Sequence, residues 1–253
     1  YSIAGRLTGG GSEEAGLVTT RPVRTPHHTA SASAVIGGGI VPKPGEITLA
    51  HRGVLFLDEL PEFPRSVLET LRQPLEDSSV TIARAHSTVR FPASFQLITA
   101  MNPTPKGTMP EDGAGKRDMD RYLSRLSGPL IDRIDLHVEV PAVPSKELTG
   151  KGVGTTSAEM KETVARTRDR QVARQGPRLN AELRGRELDE IARFTESGNT
   201  LLGQAIQSLG LSARAYDKIR RTALTSADIG GRDTFDVAHV AEAVQYRILD
   251  RQV

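Results

Sequence analysis

The run Gly53-Val54-Leu55-Phe56-Leu57-Asp58-Glu59-Leu60 decides how this chain reads. Gly53 to Leu57 is a short apolar segment with the length and composition of a buried strand, and it ends in two adjacent carboxylates. In open α/β sheets, ligands bind where strands end. Transfer of a phosphoryl group to water needs one carboxylate to hold Mg²⁺, usually through its waters, and another to orient or deprotonate the attacking water. Neighbouring side chains on an extended chain point in different directions. Asp58 can therefore face a metal while Glu59 faces a nucleophile. The plainer alternative is a strand that ends in two exposed acids.

Working outward, Phe95 to Met101 is a second apolar run, followed directly by Asn102, an amide placed to hold the same water. Asn-Pro is also a common turn opening. Between the two runs, Pro64 to Asp77 reads as a helix with Val67, Leu68, Leu71 and Leu75 on one face. Val80-Thr81-Ile82 and Thr88-Val89-Arg90-Phe91 flank a short polar segment and predict a β-hairpin. Ile134 to Val140 alternates as a half-buried strand would. Strands separated by helices predict an α/β layer. Just before that alternating run stands Leu130-Ile131-Asp132-Arg133-Ile134-Asp135. Arg133 can reach a neighbouring subunit's γ-phosphate and offset transition-state charge, or it can pair internally with Asp132 or Asp135.

From Pro141 to about Thr156 the chain is rich in Pro, Gly, Ser and Lys, the composition of a linker. Beyond it the periodicity is helical. Leu188, Ile191, Ala192 and Thr195 keep helical spacing, as do Leu201, Leu202, Ala205, Ile206 and Leu209. Gly210 ends that second run, and Ser212 caps a helix from Ala213 to Ala227. Asp236 or Thr234 caps a last helix. Arg214 falls in the first turn after Ser212, where the helix dipole disfavours a cation unless it serves a phosphate; the alternative is an ordinary exposed arginine. The expected division is an α/β region over 1–141, a linker over 142–156 and a helical domain over 157–253.

Composition narrows the function. The 253 residues are 37% hydrophobic and contain no stretch as long and apolar as the ~20 residues of a membrane span. The opening Tyr1-Ser2-Ile3-Ala4-Gly5-Arg6 is no secretory signal, so a cytoplasmic protein is expected. The absence of cysteine excludes disulfides, cysteine nucleophiles and thiolate metal sites. The net charge is only +2, yet no Asp or Glu lies between Glu14 and Glu46, and none lies from Ser78 to Pro110. Such stretches attract phosphate backbones or form a solvated basic surface.

The order of these signals matters more than any one of them. It runs from a strand with Asp-Glu through a hairpin, a strand with Asn, Leu-x-Asp-Arg and a linker to a helical domain with Ser-x-Arg. That succession resembles an AAA+ ATPase of the helix-2-insert group. The segment Arg21-Pro-Val-Arg-Thr-Pro-His-His-Thr-Ala-Ser resembles the ComM/YifB family of magnesium-chelatase-like ATPases. So do Gly37-Gly-Gly-Ile-Val-Pro-Lys-Pro-Gly-Glu-Ile-Thr-Leu-Ala-His and the Gly53 run itself. The resemblance covers nearly the whole chain. It implies a P-loop NTPase sheet followed by a helical lid. It implies that Asp58 and Glu59 are the Walker B pair, with Asp58 on Mg²⁺ through water. Asn102 then matches sensor 1, Arg133 the arginine finger and Arg214 the nucleotide-binding sensor 2. The stretch from Arg21 to Gly39 matches the helix-2 insert, and Val80 to Phe91 the pre-sensor-1 hairpin. In related rings both project into the pore, which makes Arg84, His86, Arg24, His27 and His28 expected DNA contacts. The implied function is a Mg²⁺-dependent, hexameric ATPase acting on DNA, a helicase for branch migration in natural transformation. A chelatase-type subunit for metal insertion and a non-hydrolysing DNA-binding or assembly module are the alternatives.

Two departures from the family pattern stand out. No G-x-x-x-x-G-K-[ST] occurs; Gly113-Ala114-Gly115-Lys116-Arg117 lacks the leading Gly and the hydroxyl residue. In the family that loop lies just upstream of the position matching Tyr1, so the chain is expected to be a fragment with little ATPase activity of its own. The region after Asn102-Pro103, cysteine-rich in many members, holds no Cys here, and no zinc is expected.

Overall fold

The computed structural model describes residues 20–84, 87–102, 104, 113–141, 143 and 154–251. The chain forms two compact units, Tyr1–Ile134 and Asp135–Val253.

The first unit is an α/β layer around three parallel strands, β1 (Val23–Arg24), β4 (Val54–Leu57) and β7 (Gln96–Thr99), in the order β1-β4-β7. Parallel neighbours need crossovers. The first carries α1 (Ala32–Ile36), a small hairpin of β2 (Gly37–Gly38) and β3 (Lys43–Pro44), and α2 (Glu46–Leu49). The second carries a 3₁₀ turn (Leu60–Glu62), α3 (Arg65–Thr70), α4 (Arg72–Asp77) and the hairpin of β5 (Ser79–Arg84) and β6 (Ser87–Pro92). Then come α5 (Gly113–Leu123) and α6 (Gly128–Ile131).

The strand β4 falls inside the predicted Gly53–Leu57 run. It buries Leu55 and Leu57 completely, while Val54 and Phe56 on its other face are half-buried. Leu55 meets Leu97, and Phe56 meets Ile98, which remains 41% exposed. One face of β4 is therefore fully buried and the other only partly covered; Val67, Leu68 and Leu71 of the crossover are buried as well. Gly53 is required at the start of β4 because a Cβ there would lie 2.0 Å from the Pro22 carbonyl oxygen. That oxygen accepts the hydrogen bond from the Val54 amide at 2.9 Å. Gly53→Ala is expected to part β1 from β4 and to cost about 3 kcal/mol, read as a lower urea midpoint.

The predicted helix from Pro64 to Asp77 is two helices joined at Leu71. Pro74 has no amide hydrogen and its ring crowds the carbonyl four residues back, so the helix started at Arg65 stops at Thr70 and a new one starts at Arg72. The predicted hairpin forms in the register Val80 with Phe91 and Ile82 with Val89, with Val80, Ile82 and Phe91 buried. Its turn, including His86, lies outside the described residues.

The second unit is helical: α7 (Ser157–Gln175), a 3₁₀ turn (Asn180–Glu182), α8 (Gly185–Ile191), α9 (Glu196–Leu209), α10 (Ala213–Ile229), α11 (Val237–Gln245) and a closing 3₁₀ turn (Ile248–Arg251). Thr156 and Glu159 close a capping box at the start of α7. The Ser212 side chain accepts from the Ala215 amide, and the Asp236 side chain from the Ala238 amide, as predicted caps should. Gly210 ends α9 at φ 61°. Thr195, grouped by spacing with α8, instead caps α9 by accepting from the Gly198 amide. Leu183, Leu188, Leu202, Ile219, Phe235 and Val240 fill the core. The predicted strand over 134–140 is not a strand. No neighbour pairs with its backbone as a ladder among the described residues, and Leu136, Val138 and Val140 face outward. His137 turns inward instead, its amide donating to the Tyr246 carbonyl at 2.8 Å while its Nδ1 accepts from the Leu249 amide.

The architecture is thus α/β with a parallel sheet followed by a helical region, the expected class. No helix among the described residues is long and apolar enough to cross a membrane.

Candidate functional site

β4 and β7 run side by side with Leu57 paired to Thr99, so the segments that leave their C-terminal ends emerge together. Asp58-Glu59 leaves one strand, and Ala100-Met101-Asn102 leaves the other. Two backbone bonds tie them: the Ala100 amide donates to the Leu57 carbonyl, and the Leu60 amide to the Ala100 carbonyl, each at 3.0 Å. Asp58, Glu59 and Asn102 are all exposed at this edge.

Glu59 sits at φ 51°, ψ 47°, in the left-handed region that a residue with a Cβ avoids. Holding it there costs on the order of 1 kcal/mol. Its amide donates to Asp58 Oδ1 at 2.9 Å, so a left-handed kink, rather than the extended backbone expected from the sequence, joins the two acids. The exposed Asp58 carboxylate is a hard oxygen donor of the kind Mg²⁺ takes.

The Glu59 carboxylate meets His28 Nδ1 at 3.2 Å. His28 is stacked on His27 with ring centroids 4.0 Å apart and meets the edge of Phe63 at 6.4 Å. His27 Nδ1 lies 3.0 Å from the Thr29 hydroxyl. The sequence pointed His28 toward DNA; the structure sets it against the candidate catalytic glutamate. Nothing in the sequence signals this, because the two residues are far apart in the chain and meet only when β1 pairs with β4. If Glu59 serves as the base for ATP hydrolysis, His28→Ala is expected to free its carboxylate and lower kcat about tenfold, and, if His28 does not touch DNA, to leave DNA affinity unchanged. Parallel turnover and DNA-binding assays check it.

Arg24 is likewise engaged. Its guanidinium forks onto Glu46 of α2 at 2.5 and 2.8 Å, and this bond raises its pKa above the ordinary arginine value. Arg84, at the end of β5, is exposed, with Nε donating to the Gly39 carbonyl at 3.3 Å. Arg133 forms a salt bridge with Glu76 of α4, a partner the sequence did not suggest. It donates to Glu76 of α4 and to the Pro129 carbonyl, each at 2.5 Å, and its side chain is 8% exposed. Reaching a neighbour's phosphate from here requires Arg133 to exchange Glu76 for it. Glu76 was not singled out in the sequence; no local spacing links it to Arg133. Arg214 stands exposed in the first turn of α10, in the second unit.

The comparisons with known proteins give the family. Residues 4–148 match the sequence model of the family described as magnesium chelatase, subunit ChlI, and residues 154–247 match that of the ChlI C-terminal region. The chain is 47% identical over 234 residues to the competence protein ComM of Haemophilus influenzae, covering 91% of this chain and 46% of that protein. It is 44% identical over 234 residues to YifB of Escherichia coli, again covering 91% of this chain and 46% of the relative. To Rv2897c of Mycobacterium tuberculosis it is 38% identical over 256 residues, covering 98% of this chain and 49% of that protein. The chain thus spans about half the length of the curated relatives it matches. With a strand-end Asp-Glu pair, the parallel sheet around it and family matches across both units, the chain belongs to the magnesium-chelatase-like AAA+ family that includes ComM and YifB.

Proposed function

We propose that this chain carries the water-activating part of a Mg²⁺-dependent ATP-hydrolysing site in a ring-forming motor that acts on DNA in the cytoplasm. The observation that supports it most is the Asp58-Glu59 kink at the end of β4, with Asn102 leaving the neighbouring strand at the same edge. Asp58 would hold Mg²⁺ through water, and the ion would neutralise charge on the phosphates. Glu59 takes the proton of the attacking water, and the Asn102 amide orients that water. Arg133 from one subunit and Arg214 from the helical unit are the proposed cations for the γ-phosphate. A hexameric ring suits this sharing, because Arg133 then acts on a neighbour.

DNA is the proposed substrate because two stretches of the sequence lack acids, and they touch where Arg84 of one bonds the Gly39 carbonyl of the other. Branch migration is the proposed task, as the family resemblance implies; the name of the relative in Haemophilus influenzae supports a part in competence. A chelatase-type role in metal insertion is the second reading, favoured by the description of the matching family. The test is migration of a labelled four-way DNA junction by the full natural protein. Conversion that requires both ATP and Mg²⁺ is expected. No conversion by protein that assembles and hydrolyses ATP would move the assignment to the chelatase reading.

A further inference from the structure

The 3₁₀ turn that follows Glu59 is gripped by an arginine distant in the chain. Arg125 lies between α5 and α6, and its Nη1 donates to Glu62 Oε2 at 3.0 Å and to the Pro61 carbonyl at 3.3 Å. One guanidinium thus holds both a side chain and the backbone of the turn. It also stands 5.4 Å from the centre of the Tyr122 ring, within cation–π range. Tyr122 is buried, and its hydroxyl pKa is raised, first by that burial and then by the Glu62 charge, with a smaller push from Glu59. The phenol therefore lies in the field of both acids.

The grip matters because of what the turn carries. Glu59 keeps a left-handed backbone, which costs energy and persists only where its surroundings over-determine it. The Leu60 amide is fixed to the Ala100 carbonyl at 3.0 Å, and the Glu62 amide closes the turn onto the Glu59 carbonyl at 2.8 Å. Leu60, Pro61 and Phe63 are buried, so Glu62 is the exposed member of the turn, and Arg125 holds it. Arg125 is itself well anchored, because Tyr122 and Leu126 beside it are buried, as are Leu130 and Ile131 of α6. An ion pair with a 51% exposed arginine side chain adds little to stability. The weight of this one lies in where it holds the chain.

We propose that Arg125 is a positioning residue for Glu59, acting within its own subunit: it clamps the Leu60–Glu62 turn and so fixes the backbone from which the Glu59 carboxylate reaches water. This rests on the reading of Glu59 as the base. In this role Arg125 touches no reacting atom.

The experiment measures ATP turnover by the full natural protein as wild type, Arg125→Ala, Arg125→Lys, Arg125→Ala/Glu62→Ala and Glu59→Gln. Arg125→Ala is expected to lower kcat about tenfold, the scale of a misplaced catalytic group, with KM for ATP and assembly mass unchanged. Arg125→Lys keeps a cation for Glu62 and should recover part of the loss. The double variant should be no slower than Arg125→Ala alone, because both changes release one clamp. Mixing Arg125→Ala subunits with Glu59→Gln subunits separates a clamp from a cation lent to a neighbour. A clamp serves only its own subunit's base, so the mixture should turn over no faster than its parts. Recovery in the mixture overturns the proposal and makes Arg125 a cation for the neighbouring nucleotide. Wild-type kcat in Arg125→Ala, with KM raised or not, also overturns it, and leaves Glu59 as the base if Glu59→Gln is slow. Loss of assembly in both Arg125 variants overturns it in favour of a contact between subunits. Wild-type turnover in Glu59→Gln overturns the reading of Glu59 and this inference together.

Discussion

Glu59→Gln in the full natural protein is expected to reduce ATP turnover by about 10²-fold or more, with ATP binding retained. The substitution keeps the size of the side chain and its reach to His28 but removes the carboxylate proposed as the proton acceptor. The left-handed backbone at Glu59 and the bond from its amide to Asp58 do not depend on that charge, so the kink persists. Single-turnover hydrolysis together with nucleotide binding separates the loss of chemistry from loss of the site. Turnover within a few fold of wild type would remove Glu59 from the role of base. Asn102→Ala should act in the same direction more weakly, since the role proposed for the amide is to orient water and not to take its proton.

Asp228→Ala is expected to destabilise the helical unit by about 3–5 kcal/mol. The Asp228 side chain is fully buried at the end of α10. It accepts from Arg174 at 2.6 and 2.8 Å and from the Asn180 amide at 2.8 Å. Arg170 approaches the same carboxylate at 3.8 Å. One acid thus ties α7 to α10 and to the 3₁₀ turn that follows α7. Removing it leaves the Arg174 charge and the Asn180 amide without their shared acceptor in a desolvated place. Thermal melting followed by far-ultraviolet circular dichroism reads the effect. Asp228→Asn should lose less, because the amide oxygen still accepts one bond. Equal melting temperatures for wild type and Asp228→Ala would mean the cluster is strong in geometry and weak in energy.

The parts of the fold that follow local rules were legible in the sequence. β4 and β7 are short apolar runs bounded by turns, and the β5–β6 hairpin follows β-prone composition. Ser212, Gly210 and Asp236 are capping residues whose side chains or backbones do what local chemistry asks of them. One failure was nonlocal and one was local. The 134–140 segment has the alternation of a half-buried strand, but alternation alone does not supply a neighbour, and the buried face turned out to hold His137. The break at Leu71 was readable from Pro74, whose effect falls four residues upstream, but apolar periodicity across the break masked it.

The candidate site divides the same way. Asp58, Glu59 and Asn102 stand where strand ends must place them. The left-handed turn at Glu59, its contact with His28, and the pairing of Arg24 with Glu46 and of Arg133 with Glu76 depend on which elements fold against each other. No spacing rule encodes them.

The most direct test of the motor reading is the ATP turnover of the full natural protein with and without branched DNA, at one salt concentration. The account predicts Mg²⁺-dependent turnover that rises when DNA is added. Turnover that is absent in protein that assembles and binds ATP, or that is indifferent to DNA at saturating concentration, would contradict it.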